Sequence, residues 1–265
     1  MLEFFYNLFY AVGIQLLGIL GIFFLFGFVL SKVEETTQSI YRQTVGWKGI
    51  LWTAWIGTPI HELGHLFFAI IFRHKIQAIS LFKPDARTGN LGHVDHSYKK
   101  YSLTQRIGNF FIGAAPMIFG STFLFIMLYF LAPNGREVFL PLTAEQTSIM
   151  AVITTLKQTL VKLFAVENIM AWNFWIFLYI SFCVVSHIAP SKIDRKGMWS
   201  GLLWIILILI IVNFAALLFK INVTDYILGI NQYLGILIAI FTYALIVSFI
   251  HLLLATIILL PFRKK

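Results

Sequence analysis

Six apolar runs set the terms for this chain, at about residues 9–30, 50–72, 107–131, 172–189, 199–219 and 233–260. Each has roughly the 18 or more residues a helix needs to cross a hydrocarbon core of about 30 Å. Inside hydrocarbon the backbone must bond to itself, which leaves helices or closed barrels, and runs this long and unalternating read as helices. Composition agrees: 59% of residues are hydrophobic and 12% charged, about half the charged share of a soluble domain. The expected fold is an all-α polytopic membrane protein of about six transmembrane helices.

The second run carries Pro59-Ile60-His61-Glu62-Leu63-Gly64-His65. Residues four apart share a helix face, so His61 and His65 point toward a common ion. Glu62 lies one step round, within reach of a water bound there. Two histidines with an adjacent glutamate are the pattern of a zinc site with its general base. Ionisable groups are costly at membrane depth and are usually functional where they occur. Pro59 is expected to kink this helix or to free a carbonyl near the ion.

Other segments are less apolar. Residues 31–48, with Glu34 and Glu35, read as a polar connection between the first two spans. Between Lys75 and Tyr98 the pattern is one of short strands and turns, marked by Pro84-Asp85 and Gly89-Asn90-Leu91-Gly92. The third run opens with Gly108-Asn109, and Asn109 reads either as an interhelix hydrogen bonder or as an active-site amide. Residues 149–164 have helical apolar spacing with Lys157 and Lys162, as in an interfacial amphipathic helix. The single cysteine, Cys183, excludes an intramolecular disulfide. No cleavable signal peptide is expected, because Met1-Leu2-Glu3 lacks a basic start.

The net charge of +9 calls for no nucleic acid, since basic residues in short loops orient membrane spans. With six alternating spans, the N-terminus, the 73–106 loop, the 191–198 loop and the C-terminus share one side. That side holds about thirteen of the 20 Lys and Arg, so it is expected to be cytoplasmic. Hydrolytic zinc sites usually take three protein ligands. Candidates for the third are Asp194, His187, Glu167, Asp85 and the His93–His96 cluster, the last of which also reads as a second metal site or a solvated strand end. Asp194 is preferred because Pro190 and Gly197 bracket a broken helix end, and such backbone at membrane depth lines polar cavities.

Together these residues resemble the site-2 protease family of intramembrane zinc metalloproteases. The resemblance covers roughly Gly49 to Gly197 and rests on His61-Glu62-Leu63-Gly64-His65, the Gly89–Val94 turn region, Gly108-Asn109 with Pro116, and Pro190 to Asp194. The last stretch departs from the family's usual Asn-Pro-x-Pro-x-x-Asp-Gly, with Ser-His-Ile-Ala before Pro190 and Arg195 after Asp194. The resemblance implies a first span and connection (1–48), a protease-like core (49–197) and two C-terminal spans (198–265). It implies one zinc ion on His61, His65 and Asp194, with Glu62 as catalytic base. His187, Asn109 and Gly92 then support the ligands or contact substrate. The implied substrate is a membrane-spanning segment of another protein, cut in the cell membrane. Two other classes fit the same residues: a metal-binding scaffold or transporter without turnover, and a membrane metallohydrolase of lipids or small molecules.

Overall fold

The computed structural model describes residues 2–144, 148–221, 223–229 and 231–262. Its first helix, α1 (Leu2–Thr44), has 43 residues, about 65 Å at 1.5 Å per residue. The polar stretch read as a connection is the last third of this helix. Its polar side chains recur at helical spacing and bond along it, Lys32 to Glu35, Gln38 to Glu34 and Arg42 to Gln38, which supports a helix where hydropathy alone suggests a loop. Gly46, at φ 80°, turns the chain into α2 (Trp47–Ile71), which stays helical through Pro59.

Two antiparallel strands follow, β1 (Lys75–Ser80) and β2 (His93–Ser97), with a bulge between Ile76 and Ala78. Helix α3 (Leu103–Leu131) starts at the Ser102 cap, whose hydroxyl accepts from the Gln105 N–H at 3.4 Å. Short helices α4 (Gly135–Phe139), α5 (Ile149–Leu163) and α6 (Val166–Ile169) lead to α7 (Trp172–Val185) and α8 (Lys192–Leu218). The chain finishes with α9 (Val223–Leu228) and α10 (Asn231–Leu259). Fully buried Phe110, Met117, Phe177, Phe241 and Tyr243 pack α3, α7 and α10 together. The protein is an all-α membrane protein with a small sheet inserted between its second and third long helices. Among the described residues, five helical stretches are long and apolar enough to cross a membrane, Leu2–Thr44, Leu103–Leu131, Ile149–Ile169, Lys192–Leu218 and Leu234–Leu259. The α5–α6 stretch, read from sequence as interfacial, therefore also has the dimensions of a span.

Helix directions differ from the expected alternation. Phe4 of α1 meets Phe214 of α8, Gln15 bonds to Asn213, Phe24 tilts on Trp199, and Arg195 reaches Ser31. Further along α1, Gln38 bonds to the Ser186 carbonyl at the end of α7. Thus α7 and α8 run in one direction past α1, joined by an irregular stretch at 186–191. Helix α3 agrees, with Gly120 against Ile188 and Arg106 stacked 4.2 Å over Trp204. The 172–189 and 199–219 runs were expected as two antiparallel spans joined by a loop on the cytoplasmic side. They are instead the two halves of one interrupted helix, because Pro190 ends helical bonding and the Ser191 capping box restarts it without a reversal.

Helix α2 runs parallel to α7, with Tyr179 bonded to the Trp52 carbonyl, Gly57 against the Cys183 carbonyl and His61 at the His187 carbonyl. Helix α10 runs parallel to α1, from Phe241 beside Phe23 to His251 beside Tyr41. The helices α1, α2, α3, α7–α8 and α10 then alternate in direction, and Leu2 and Phe262 lie at opposite ends of the bundle; α2, expected as a span, is not among the five stretches apolar enough to cross a membrane. The expectation of both termini on one side does not hold for the described residues. Arg263, Lys264 and Lys265, on which it partly rested, lie outside them, and Lys192, Arg195 and Lys196 sit on the first turns of α8 at the rim of an open cavity rather than in a connecting loop.

Candidate metal centre

Each ligand candidate is placed by a local rule of its own helix. His61 and His65 are one turn apart on α2 with ring centroids 4.9 Å apart. The His61 Nδ1 lies 2.6 Å from the His187 carbonyl oxygen, and the His65 Nδ1 lies 2.8 Å from that of Ile112. A carbonyl only accepts, so both Nδ1 atoms carry the proton and donate. Both Nε2 atoms are therefore left with lone pairs, and they face each other at 3.1 Å.

Asp194 arrives from the opposite wall, at the third position of α8. The capping box fixes it: the Ser191 N–H donates to Asp194 Oδ2 at 2.7 Å, and the Asp194 N–H donates to the Ser191 hydroxyl at 3.2 Å. Its Oδ1 lies 3.2 Å from His65 Nε2, and its Oδ2 lies 3.7 Å from His61 Nε2. One donor atom from each of His61, His65 and Asp194 falls within 4.8 Å of the others. Three lone-pair donors facing one point repel one another unless a cation or a shared proton sits between them. Tetrahedral zinc with bonds of about 2.0–2.1 Å holds its nitrogens roughly 3.3 Å apart, close to the spacing seen. The donor set and its supporting carbonyls fit such an ion, with each imidazole oriented through its other nitrogen.

Glu62 is 7% exposed and borders the same cavity. That cavity holds about 1020 Å³ and is walled by α1, α2, the 88–96 hairpin, the start of α3 and residues 187–197. The hairpin closes over Glu62 at Gly92, where a Cβ would sit 2.8 Å from the Ser80 and Leu81 carbonyl oxygens and 3.1 Å from Glu62 Cγ. Gly92 is thus a close-approach position beside the candidate base. β2 lines the cavity, with β1 behind it. Asn109 is buried on α3 and lines the cavity too.

His187 differs from its expected role as a ligand or a support of Asp194. Its ring is held against Gly57 and its Nε2 lies 3.3 Å from the Thr53 hydroxyl, nearer the start of α2 on the stripe that also carries His61 and His65, at the edge of the same cavity. Its carbonyl, not its imidazole, supports the site. Asp85 spends its carboxylate within its own turn, on the Arg87 N–H and the Thr88 hydroxyl, and those bonds hold it below the usual carboxylate range. Glu167, on α6, does not line the cavity. His93 and Asp95 are 3.9 Å apart and open to solvent, while His96 pairs with His74, so the hairpin assembles no second set of three ligands among the described residues.

Sequence reasoning missed Glu34 and Gln38, assigned to a connection, and the carbonyls of Ile112 and His187. The Glu34/Gln38/Arg42 spacing was the signal for the first pair. Backbone groups leave no signal in residue types. Comparison of the chain with family models, with curated proteins and with solved structures finds no match in any of the three. What the fold and the cluster define by themselves is a helical membrane protein with two histidines, an aspartate and a neighbouring glutamate gathered in one open cavity.

Proposed function

We propose that this protein is a zinc-dependent intramembrane endopeptidase of the site-2 protease type, cutting peptide bonds within or near membrane-spanning segments of other proteins. The observation that carries the reading is the convergence of His61 Nε2, His65 Nε2 and the Asp194 carboxylate on one point, with Glu62 beside it in the same cavity. A zinc ion held by these three residues would polarise the scissile carbonyl and acidify a water at the site. Glu62 takes that water's proton and delivers it to the leaving amine. Gly92 keeps the hairpin low over Glu62, and β2 offers backbone groups with which an extended substrate segment pairs. Pairing of that kind suits a helix that must unwind before its carbonyls can be attacked.

The 73–106 segment carries seven Lys and Arg and is the most basic connection in the chain; on that ground we assign its side of the bundle to the cytoplasm of a cell membrane. Glu62 favours an enzyme over a metal-binding scaffold or transporter, since three ligands alone suffice to hold an ion.

The test uses purified protein in nanodiscs with a panel of membrane-spanning peptides, alongside the metal content. Wild type should contain about one zinc per chain and cleave at least one peptide. Glu62→Gln should keep the zinc and lose at least about 100-fold in rate. Equal cleavage by both proteins would sink the reading.

A further inference from the structure

The break between α7 and α8 removes backbone bonds that a continuous helix would make, and α1 replaces them. In a helix the Ser186 carbonyl would receive the N–H of residue 190, but that residue is Pro190 and has none. Gln38 supplies the donor instead, its Nε2 lying 2.8 Å from the Ser186 oxygen. The Ala189 N–H, also outside any helix, donates to Glu34 Oε2 at 2.8 Å. Gln38 uses its second amide hydrogen on Glu34 Oε1 at 3.0 Å, and its own oxygen accepts from Arg42 at 3.3 Å. Of the two carbonyls between these anchored groups, that of His187 faces the site. Its helical donor would be the Ser191 N–H, which Asp194 has taken. It is free to receive the His61 Nδ1–H.

We propose that Glu34 and Gln38, one turn apart on α1, are positioning residues that clamp the 186–190 stretch so that the His187 carbonyl orients the His61 ring. Unsatisfied backbone groups are costly away from water, so the clamp both stabilises the break and fixes its shape. A ligand imidazole held through its far nitrogen loses metal affinity when that hold is loosened, typically by 10–100-fold. The clamp itself stands on the bonds above; only its consequence for the ion rests on the proposed metal centre.

The experiment measures amide hydrogen exchange over residues 186–191 in metal-free full-length protein in nanodiscs, and then titrates cobalt(II) while following its visible absorption. Glu34→Ala should speed exchange in this stretch about tenfold and weaken cobalt binding about tenfold or more, with an altered visible band. Glu34→Gln keeps an oxygen for the Ala189 N–H but sets an amide nitrogen against Gln38 Nε2, so it should fall between Glu34→Ala and wild type in both. Gln38→Ala provides an independent route should Glu34→Ala fail to fold, and should raise exchange by several-fold. Exchange within twofold of wild type in the alanine variants would overturn the clamp. Faster exchange in Glu34→Ala alongside a wild type that binds no cobalt would support the clamp and refute the metal centre.

Discussion

Two histidine pairs, one on α2 and one where the hairpin leaves it, behave as chemical opposites. In the α2 pair, each Nδ1–H is given to a backbone carbonyl, and both Nε2 lone pairs are left facing Asp194. In the hairpin pair, His74 Nε2 donates to the Gln105 carbonyl at 2.9 Å, and the two Nδ1 atoms meet at 2.9 Å. His74 Nδ1 must then be the acceptor and His96 Nδ1 the donor. That pair satisfies itself. A metal centre is thus distinguished by lone pairs with nowhere else to go, not by histidines in proximity. Burial sharpens the contrast: His74 and His96 are both held below the usual imidazole range, chiefly by desolvation, His96 at about 4.

The strongest way to break this comparison is to remove one pair at a time. His61→Ala/His65→Ala should lose essentially all zinc by elemental analysis of purified protein, whereas His74→Ala/His96→Ala should retain it. Zinc that follows the hairpin pair would invert the assignment. Next in size is the third ligand. Asp194→Asn should weaken zinc by roughly 100-fold or more in a competition titration, exceeding the usual cost of losing a supporting partner. His187→Gln leaves the supporting carbonyl in place and should cost less than about tenfold. The reverse ranking would hand the ligand role to the imidazole.

These candidate ligands were legible because each obeys a short-range rule. The i, i+4 pair needs only helical geometry, and Asp194 needs only a helix restarted after Pro190. The membrane class and the hairpin were legible for the same reason, from run length and turn residues. What escaped was long-range. A polar helical face turned toward a cavity has the hydropathy of a loop, so the last third of α1 was read as one. A proline-broken helix that continues onward gives the same two apolar runs as a hairpin of spans. Only packing against α1 and α3 fixes the direction, and with it which basic residues line the cavity.

Gly92 tests whether the hairpin serves the α2 site. Gly92→Ala brings a Cβ against two backbone carbonyl oxygens, which cannot swing aside as a side chain would. The hairpin must lift from Glu62, and displacements of about 1 Å at a reacting centre can cost 10²-fold. Peptide cleavage should fall about tenfold while zinc content stays at the wild-type level. Loss of zinc together with activity would show instead that the hairpin holds the ligands.

The smallest effect expected is in the hairpin pair itself, and it depends on pH. His96 is depressed to about 4 in the folded chain, against about 6.5 when unfolded. Its neutral form is the one the fold prefers. The contribution to stability is whole above about pH 6.5 and is lost as pH falls toward 4, because the unfolded state binds the proton first. Protonating His74 acts in the same direction, since its Nδ1 could no longer accept from His96. Amide protection factors over residues 75–97 should therefore drop several-fold between pH 6.5 and 4, while those in the middle of α3 stay level. A His74→Gln/His96→Gln protein should lose that pH dependence. Hairpin protection that holds steady down to pH 4 in the unaltered chain would mean the two rings are not the self-satisfied pair their geometry describes.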